Sequence, residues 1–563
     1  MKALQTSIFK LCFILLMAAS SHAYAQIDQA TQSADPARAG ERLSEQRLIP
    51  QGGPRVSVRS AAMVEAPEGA ENIKFSFGGL TFVGVGIYTE DDLFPIYSDL
   101  IGQEISLEKV YEIANEITLK YRNDGYILTR VIVPPQEIDN GIVRLQAVEG
   151  FINNIEVQGD LTEREFSIIN GYAQQISVQS ALNIKELERQ LLLINDLAGI
   201  DARTIIGPSQ NVAGGADMLI IVERDVFEGS VGINNHGSRF LGPLQFETVG
   251  IFNSLFRAGE RITVQAVAAP DEGIELGYGF LEYLTPIGRA GTTIAFSGSI
   301  TDTDPGFTLS QFDVNGISRN LSVGIEHPFI RSRDYNVSGR LDFDWRNVDS
   351  KNNVTDTVED RIRAVRAGVQ ADFLDNLLGV AVNTIDFEIS QGLDILNASD
   401  EGDDNLTRAA GDPTFLKANL RVQRLQRVTN NINILVSGRA QIANNPLLSS
   451  EEFGLGGMTT VRGYNPSETV GDDGINGNIE VQYSFRESGV QLFGFVDSGT
   501  VWNQDATNSA DKRESLTSTG LGVRLDLPME FDAEFVAAQP LHRDIETQGD
   551  RDPQFFFSVT KSF

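Results

Sequence analysis

The chain has 563 residues, enough for several domains, and a net charge of −32 at pH 7. Such an acidic chain lacks the basic surface that nucleic-acid binding requires, so that class of function is excluded. Beyond residue 25 no continuous apolar stretch reaches about 18 residues, which also excludes a membrane protein built of helices. A membrane β-barrel stays open, because alternation rather than hydropathy marks its strands.

Residues 1–25 have the pattern of a secretory signal peptide. Two lysines supply positive charge, a short apolar run follows, and Ala23-Tyr24-Ala25 is a typical cleavage site. The single cysteine, Cys12, lies in this segment, so the mature chain, beginning near Gln26, is predicted to have no disulfide and no thiol chemistry. A retained anchor is the alternative, but the apolar run is too short to span a bilayer.

One short helix is predicted in residues 26–49. Asp35-Pro36 is typical of a helix N-cap and first turn, and Ala37–Leu48 can continue the helix. This helix is charged on most faces, so it suits a mobile tail or a polar cavity rather than an apolar core. The proline- and glycine-rich segment that follows ends the helix and opens a linker, assigned to residues 50–72.

An internal repeat is visible in residues 73–225. Gln136 in the first unit corresponds to Gln210 in the second, and Glu149 corresponds to Glu223 at the same separation. Each unit is predicted to contain a strand, two helices and two further strands. Two small α+β domains in tandem follow from this pattern.

Residues 226–563 show alternation of apolar and polar side chains. In Tyr335–Arg346 one face carries mainly aromatic and aliphatic residues, and the other carries asparagine, serine, arginine and aspartate. Membrane barrels alternate in this way, with apolar side chains toward lipid and polar side chains toward the lumen. The last segment, Phe555–Phe563, has the same pattern and ends on an aromatic residue. At about 10 residues per strand plus turns, this length accommodates roughly 16 strands.

Two charged residues of this region are predicted to meet. Asp497 lies on the alternating segment Phe495–Gly499, and an aspartate that alternates with lipid-facing residues must point into the lumen. Arg462 lies in Val461–Tyr464, just after a glycine-rich segment that is predicted to be a loop. An inward-folded loop would bring Arg462 to Asp497.

These segments resemble the two-partner secretion transporters, the TpsB type of outer-membrane translocator (ShlB/FhaC/HecB-like). Val131–Ile152 is similar to the family's passage between its two POTRA domains. Glu452–Tyr464 resembles the tip of its inward-folded sixth loop, and Phe495–Gly499 resembles the barrel-wall motif that holds this tip. The order and spacing of the motifs after two POTRA-like repeats make the resemblance specific.

The resemblance implies a membrane β-barrel of about 16 antiparallel strands, preceded by two α+β POTRA domains and an N-terminal plug helix. The boundaries that follow are 1–25 for the signal peptide, 26–49 for the segment with the plug helix, 50–72 for the linker, 73–150 for POTRA 1, 151–225 for POTRA 2 and 226–563 for the barrel. The implied location is the outer membrane, with the POTRA domains in the periplasm.

The implied function is secretion of a partner exoprotein, TpsA-like, in unfolded form through the barrel after recognition by the POTRA domains. The other expected partners are outer-membrane lipid and the assembly machinery that inserts the barrel. The chain is expected to act as a monomer and without a cofactor.

The resemblance also implies which residues form the functional sites. Arg462 near Asp497 would form a charge-assisted hydrogen bond, Gly463 would allow a tight turn, and Tyr464 would offer a ring and a hydroxyl. The residues assigned to this site are Val461, Arg462, Gly463 and Tyr464 at the loop tip, and Phe495, Asp497 and Gly499 on the barrel wall. An unfolded client can add a strand to a sheet edge, and the candidate edges are Tyr126–Val133 and Thr204–Gly207. The client-binding residues predicted on them are Tyr126, Val131, Val133, Thr204 and Ile206.

Other functions agree less well with the same residues. An outer-membrane protein insertase of the same superfamily would share the Arg462–Asp497 pair but usually carries more POTRA domains. A passive porin has no need of tandem α+β domains. No nucleophile, metal-ligand or paired-carboxylate motif stands out, so an enzyme is not expected. The acidic stretches 400–405 and 471–477 lack EF-hand spacing and are predicted to be solvated extracellular or lumenal loops. The three scattered histidines, His236, His327 and His542, do not suggest a metal site.

Overall fold

The computed structural model of the protein describes residues 34–44, 56–58, 63–177, 181–209, 211–212, 214–271, 273–353, 357–485, 488–506 and 512–563. The predicted signal peptide, the second part of the predicted plug helix and residues 50–55 and 59–62 of the linker lie outside these residues. Helix α1 (Pro36–Ser44) and the linker strand β1 (Val56–Val58) precede two α+β domains and a closed barrel. Among the described residues no helix is both long and apolar enough to cross a membrane.

The first α+β domain is built on one amphipathic helix. Val110, Ile113 and Ile117 recur at helical spacing and are fully buried. Ser106 begins the helix, since its hydroxyl accepts a hydrogen bond from the Lys109 N–H (3.3 Å). The elements of this domain are β2 (Lys74–Ser76), β3 (Gly79–Val83), α2 (Glu90–Leu93), β4 (Glu104–Ser106), α3 (Leu107–Asn123), β5 (Arg130–Ile132) and β6 (Ile142–Val148). The sheet order is β3-β6-β5, and β2 pairs with β4.

The second α+β domain has the same plan with longer strands. Its elements are β7 (Phe151–Gln158), α4 (Glu163–Ser177), α5 (Ile184–Asn195), β8 (Ile200–Pro208) and β9 (Gly215–Arg224). Leu187, Leu191 and Ile194 of α5 are buried against the sheet. The sheet order is β1-β8-β9-β7, so the linker strand β1 completes this sheet as a fourth strand.

Direct contacts fix the two domains to each other and to the barrel. The Ile184 N–H, at the start of α5, donates to the Gly125 carbonyl at the end of α3 (2.8 Å). At the barrel's inner rim the Arg331 guanidinium donates two hydrogen bonds to Asp196 (2.9 and 2.7 Å). The two α+β domains therefore have a defined orientation at the mouth of the barrel.

Sixteen antiparallel strands of the described chain close into the barrel, as the alternation predicts. They are β10 (Phe227–Asn234), β11 (Gln245–Asn253), β12 (Arg261–Pro270), β13 (Ile274–Ile287), β14 (Thr292–Thr303), β15 (Asn315–Arg331), β16 (Tyr335–Lys351), β17 (Val358–Asp375), β18 (Ala381–Gly392), β19 (Leu416–Arg427), β20 (Ile432–Ala443), β23 (Asp473–Phe485), β24 (Val490–Trp502), β25 (Arg513–Leu527), β26 (Phe531–Pro540) and β27 (Gln554–Ser562). The first and last strands pair from Ser230↔Ser562 to Asn234↔Ser558, which closes the cylinder without free edges.

The connection between β20 and β23 folds back into the lumen. We call residues 444–472 loop 6, because this is the sixth connection on the side opposite the α+β domains. It carries a small hairpin, β21 (Phe453–Leu455) and β22 (Thr469–Gly471). Leu447, Leu448 and Leu455 are fully buried, so the loop is packed inside the barrel and does not extend into solvent.

Candidate functional site: the loop 6 tip, the plug helix and the POTRA edges

Strand β24 presents its charged residue to the lumen. Asp497 is fully buried and Phe495 nearly so, whereas Val496 between them is 52% exposed on the outer face. This is the alternation that places apolar side chains toward lipid and polar side chains inward. Asp497 therefore lies where an inward-folded loop can reach it.

A glycine allows the loop 6 tip to approach the wall of the barrel. Gly463 has a φ of +96°, a region in which side chains are strained. A Cβ at this position would lie 3.2 Å from the Ala538 Cβ. Within the tip, the Thr460 hydroxyl accepts from the Gly456 N–H (2.8 Å), which stabilises the turn before Arg462.

The structure brings Arg462 and Asp497 into direct contact. The guanidinium donates from Nε and NH2 to the two carboxylate oxygens of Asp497, both at 2.8 Å, and the Arg462 backbone N–H adds a third bond at 3.1 Å. The guanidinium also lies over the Phe495 ring, 3.5 Å from its centroid. A bidentate pair with a stacked cation fixes position and orientation together.

Three further charged residues join this pair, and the sequence-based prediction missed all three. NH1 of Arg462 donates to Glu480 (2.6 Å), and Arg524 donates to the same carboxylate (2.7 Å) and to Glu534 (2.6 Å). We call Arg462, Glu480, Asp497, Arg524 and Glu534 the loop-tip network. The signal for Glu480 was present in the sequence, since Ile479 and Val481 alternate with it as outward-facing residues.

The other predicted residues of this site lie around the network. Val461 and Tyr464 are buried in a cluster with Leu455. The Tyr464 hydroxyl donates to the Thr517 carbonyl (3.2 Å). Gly499 faces the loop, because a Cβ there would lie 2.6 Å from a methyl of Leu455. The wall at this position must stay small for loop 6 to fit.

The start of loop 6 binds the barrel through a second charged cluster. Glu451 is 2% exposed and accepts from three cations, Arg346 (3.3 Å), Arg366 (2.8 Å) and Lys417 (2.7 Å). Asp472, at the other end of the loop, is fully buried and pairs with Arg408 (2.5 Å). The expectation that residues 471–477 are a solvated loop is therefore wrong, because residues 473–477 belong to β23 and the buried carboxylate of Asp472 pairs with Arg408. No group of metal-ligating side chains occurs in the described ranges.

Helix α1 lies inside the barrel, in contact with loop 6. Asp35 caps it, accepting from the Ala37 and Arg38 N–H groups (2.8 and 3.2 Å), as the sequence predicts. The Arg38 guanidinium donates to Glu452 (2.8 Å), and both side chains are almost fully buried. Gly40 faces the wall, where a Cβ would lie 3.6 Å from the Thr301 Cβ. The polar helix therefore occupies the lumen, and the buried Arg38–Glu452 ion pair ties it to loop 6.

The first predicted client-binding edge is shorter than expected. Tyr126 lies in a turn before β5, because its N–H donates to the Tyr121 carbonyl (2.8 Å) and its ring packs edge-on against Tyr121. Burial and a hydrogen bond to Glu149 raise the pKa of the Tyr121 hydroxyl. The prediction of a strand from Tyr126 to Val133 is thus wrong at its ends, since the strand is Arg130–Ile132.

The remaining edge strand, β5, offers few free backbone groups. Val131 is fully buried in the domain core, and Val133 packs against that core. The Val131 N–H donates to the Thr118 hydroxyl (2.9 Å). One of the donors that a client strand would need at this edge is therefore already bonded to helix α3.

The second predicted edge is occupied. Thr204 and Ile206 lie on β8 as predicted, with buried side chains. The linker strand β1 pairs in parallel with β8, in the register Val56↔Thr204 to Val58↔Ile206. The free edge expected at Thr204–Gly207 is absent in this structure, because a segment distant in sequence covers it.

Comparisons with known proteins place this architecture in a family. Residues 218–525 match the family described as haemolysin secretion/activation protein ShlB/FhaC/HecB, and residues 75–150 match the POTRA domain of ShlB type. The first match spans more than half of the chain. The chain belongs to this family.

Relatives support the same assignment. The chain is 23% identical to the heme/hemopexin transporter protein HuxB of Haemophilus influenzae (strain 86-028NP) over 483 residues, covering 84% of each protein. It is 22% identical to the outer membrane transporter CdiB of Escherichia coli over 463 residues, covering 78% of this chain and 72% of that protein.

Solved structures show the same fold. CdiB from Escherichia coli matches with a TM-score of 0.72 at 18% identity, covering 90% of this chain and 94% of that chain. BamA from Haemophilus ducreyi lacking POTRA domains 1-3 matches with a TM-score of 0.51 at 14% identity, covering 87% and 100%.

As a member of the ShlB/FhaC/HecB family, the chain is an outer-membrane transporter of two-partner secretion, with its POTRA domains in the periplasm. The resemblance, the fold class and the location predicted from the sequence are confirmed. The comparisons favour the transporter over the insertase.

Proposed function

We propose that this transporter receives one partner exoprotein as an unfolded chain on its POTRA domains and passes it through the barrel lumen after α1 leaves. The observation that carries the proposal is the position of α1. A short polar helix fills the lumen, and two domains with a fixed orientation stand at the inner mouth. A permanent wall element would be expected to have a larger apolar contact than this helix makes.

The contacts of α1 fit a removable plug. Its buried apolar side chains are mainly small, among them Ala37 and Ala39. Burial of a few alanines contributes little, since apolar burial is worth about 25 cal/mol per Å². The Arg38–Glu452 pair supplies the directional contact, and water or a client can replace its hydrogen bonds.

The loop-tip network fits a fixed anchor. Arg462 has two acidic partners, and each of them is buried. Removing one member of a buried charge pair costs about 3–5 kcal/mol. We propose that the anchor keeps loop 6 in place while α1 moves, so the path for the client opens between the loop and the opposite wall.

The exoprotein is proposed to be a large secreted protein encoded beside this transporter. HuxB is named a heme/hemopexin transporter protein and CdiB an outer membrane transporter. The further partners we propose are outer-membrane lipid around the barrel and the assembly machinery that inserts it. The proposed transporter is a monomer with no catalytic role and no cofactor.

A deletion of residues 73–225 tests the proposal in cells that lack the native transporter. We expect the barrel to reach the outer membrane and secretion of the neighbouring exoprotein to fall to background, while other outer-membrane proteins keep their levels. Barrel abundance is measured in the same samples. Normal secretion without the POTRA domains would contradict the proposal. A general fall in outer-membrane proteins would favour the insertase.

A further inference from the structure

The linker contacts the first POTRA domain through a side chain that binds backbone. Asn115 lies on the outer face of α3. Its Oδ1 accepts from the Val64 N–H (3.1 Å), and its Nδ2 donates to the Val64 carbonyl (3.0 Å). One carboxamide therefore binds both backbone groups of a single residue, as the edge of a β-strand does.

This recognition is independent of the side chain that is bound. Both hydrogen bonds go to the main chain of Val64, whose side chain takes no part in them. Main-chain hydrogen bonds give affinity for any extended segment, which is why strand addition tolerates many sequences. An unfolded polypeptide of almost any sequence presents the same N–H and carbonyl.

The linker runs along α3 on both sides of this contact. The Met63 sulfur accepts from Arg122 near the end of the helix (3.8 Å). The Ile73 carbonyl accepts from the Leu107 N–H at its beginning (2.8 Å). Residues 63–73 thus cover the helix in the direction opposite to its own, over a length that would accept a client segment.

The outer face of α3 offers a client more accessible hydrogen-bonding groups than the two predicted strand edges do. Strand β1 of the same linker covers β8, and the Val131 N–H of β5 is bonded to Thr118. At both predicted edges, then, backbone groups suited to client recognition are already bonded within the chain. The Asn115 carboxamide is bonded to a linker segment that belongs to no helix or strand, so this occupant exchanges at low cost.

We propose that Asn115 is a binding residue for the backbone of the unfolded client, and that the linker residue Val64 occupies it until the client arrives. The inference rests on the proposed function and names where on the POTRA domains the client binds.

Two substitutions test the linker residue Val64 and the binding residue Asn115 separately. Val64→Pro removes the N–H that Asn115 binds and leaves Asn115 unchanged. Asn115→Ala removes the site for linker and client alike. Glu116→Ala, at the next exposed position of α3, is the matched control. The probe is a fluorescently labelled, reduced and alkylated model protein that cannot fold, titrated against the full-length transporter in detergent.

We expect V64P to bind the probe about three- to tenfold more tightly than the native chain, the effect of one competing hydrogen bond. N115A should bind it more weakly by a similar factor, and the double variant should match N115A. E116A should leave binding unchanged. A synthetic peptide of residues 60–68 should compete with the probe on V64P and fail to do so on N115A.

Opposite changes in probe affinity distinguish a binding site from a structural tether. Loss of a tether would change the affinity of both variants in the same direction. If V64P and N115A bind the probe as the native chain does, the inference is overturned, and secretion that still requires residues 73–225 would leave the proposed function standing. If deletion of residues 73–225 changes neither probe binding nor secretion, the proposed function fails as well.

Discussion

The loop 6 tip and the POTRA domains illustrate two ways of holding a polypeptide. In the barrel, Arg462 is held by charged side chains that match its shape and charge, and every partner is buried. In the periplasmic domains the linker is held by backbone pairing with β8 and by one carboxamide. The first arrangement fixes one segment in one place. The second makes no demand on the side chains of the segment that is bound, which fits the proposed role of the POTRA domains as receptor for an unfolded client.

The largest effects are expected from substitutions in the loop-tip network. Arg462→Ala or Asp497→Ala leaves a buried charge without its bidentate partner, at a cost of about 3–5 kcal/mol. We expect secretion to fall at least tenfold and single-channel conductance in planar bilayers to become irregular. The double variant should be little worse than either single variant.

The control for this pair is Arg319→Ala, which removes a half-exposed pair with Asp349 and should cost less than about 1 kcal/mol. A double-mutant cycle on urea unfolding of the barrel in detergent gives the coupling between Arg462 and Asp497. Additive losses would show that the two residues do not act together.

A smaller effect is expected from Glu480→Gln. Arg462 keeps both bonds to Asp497, and Arg524 keeps Glu534 (2.6 Å). The free energy of unfolding should fall by about 1.5–3 kcal/mol, the value of hydrogen bonds to charged groups. Secretion should fall less than in Arg462→Ala. An equal or larger loss would mean that Glu480, rather than Asp497, is the main partner.

The plug helix should respond to Arg38→Ala. Glu452 keeps its bond from Arg408 (3.0 Å), which also pairs with Asp472, while α1 loses its ion pair. We expect a higher frequency of open-channel events in bilayer recordings, with barrel stability almost unchanged. Glu452→Gln, which keeps an acceptor for Arg38, should lie between this variant and the native chain. Unchanged channel activity would show that other contacts retain the helix.

The smallest effect is expected from an arginine-to-alanine substitution in the POTRA domains. Arg130 lies on the edge strand β5 with an exposed side chain. If the POTRA domains bind backbone, Arg130→Ala should change secretion by less than about twofold. A loss as large as that of Arg462→Ala would mean that the periplasmic domains also read side chains.

Local patterns predicted much of this structure. The alternation of apolar and polar side chains predicted the barrel and placed Asp497 in the lumen, because one face of a barrel strand contacts lipid and the other faces the lumen. The helix of the first POTRA domain and the start of α1 followed from helical spacing and capping residues. The meeting of Arg462 with Asp497 needed the inward-folded loop, which only the family resemblance suggested.

The sequence-based predictions were wrong or incomplete where segments distant in sequence contact each other. Nothing near Thr204 indicates that Val56–Val58 will lie beside it, since three residues carry little strand signal. Tyr126 begins an apolar run that is typical of a strand, but packing under the end of α3 turns it into a loop. Glu480 alternates inward as clearly as Asp497, yet only the barrel register shows that both reach Arg462.

A disulfide between α1 and the wall tests the central claim, that the client crosses the lumen after the plug helix leaves. Gly40→Cys and Thr301→Cys place two Cβ atoms about 3.6 Å apart, within disulfide range. The only native cysteine, Cys12, lies in the predicted signal peptide, so no other thiol competes. Secretion of the neighbouring exoprotein is measured with and without a membrane-permeant reductant, beside each single-cysteine variant. The account predicts that the oxidised pair blocks secretion and that reduction restores it. Equal secretion from the oxidised and reduced forms would contradict it.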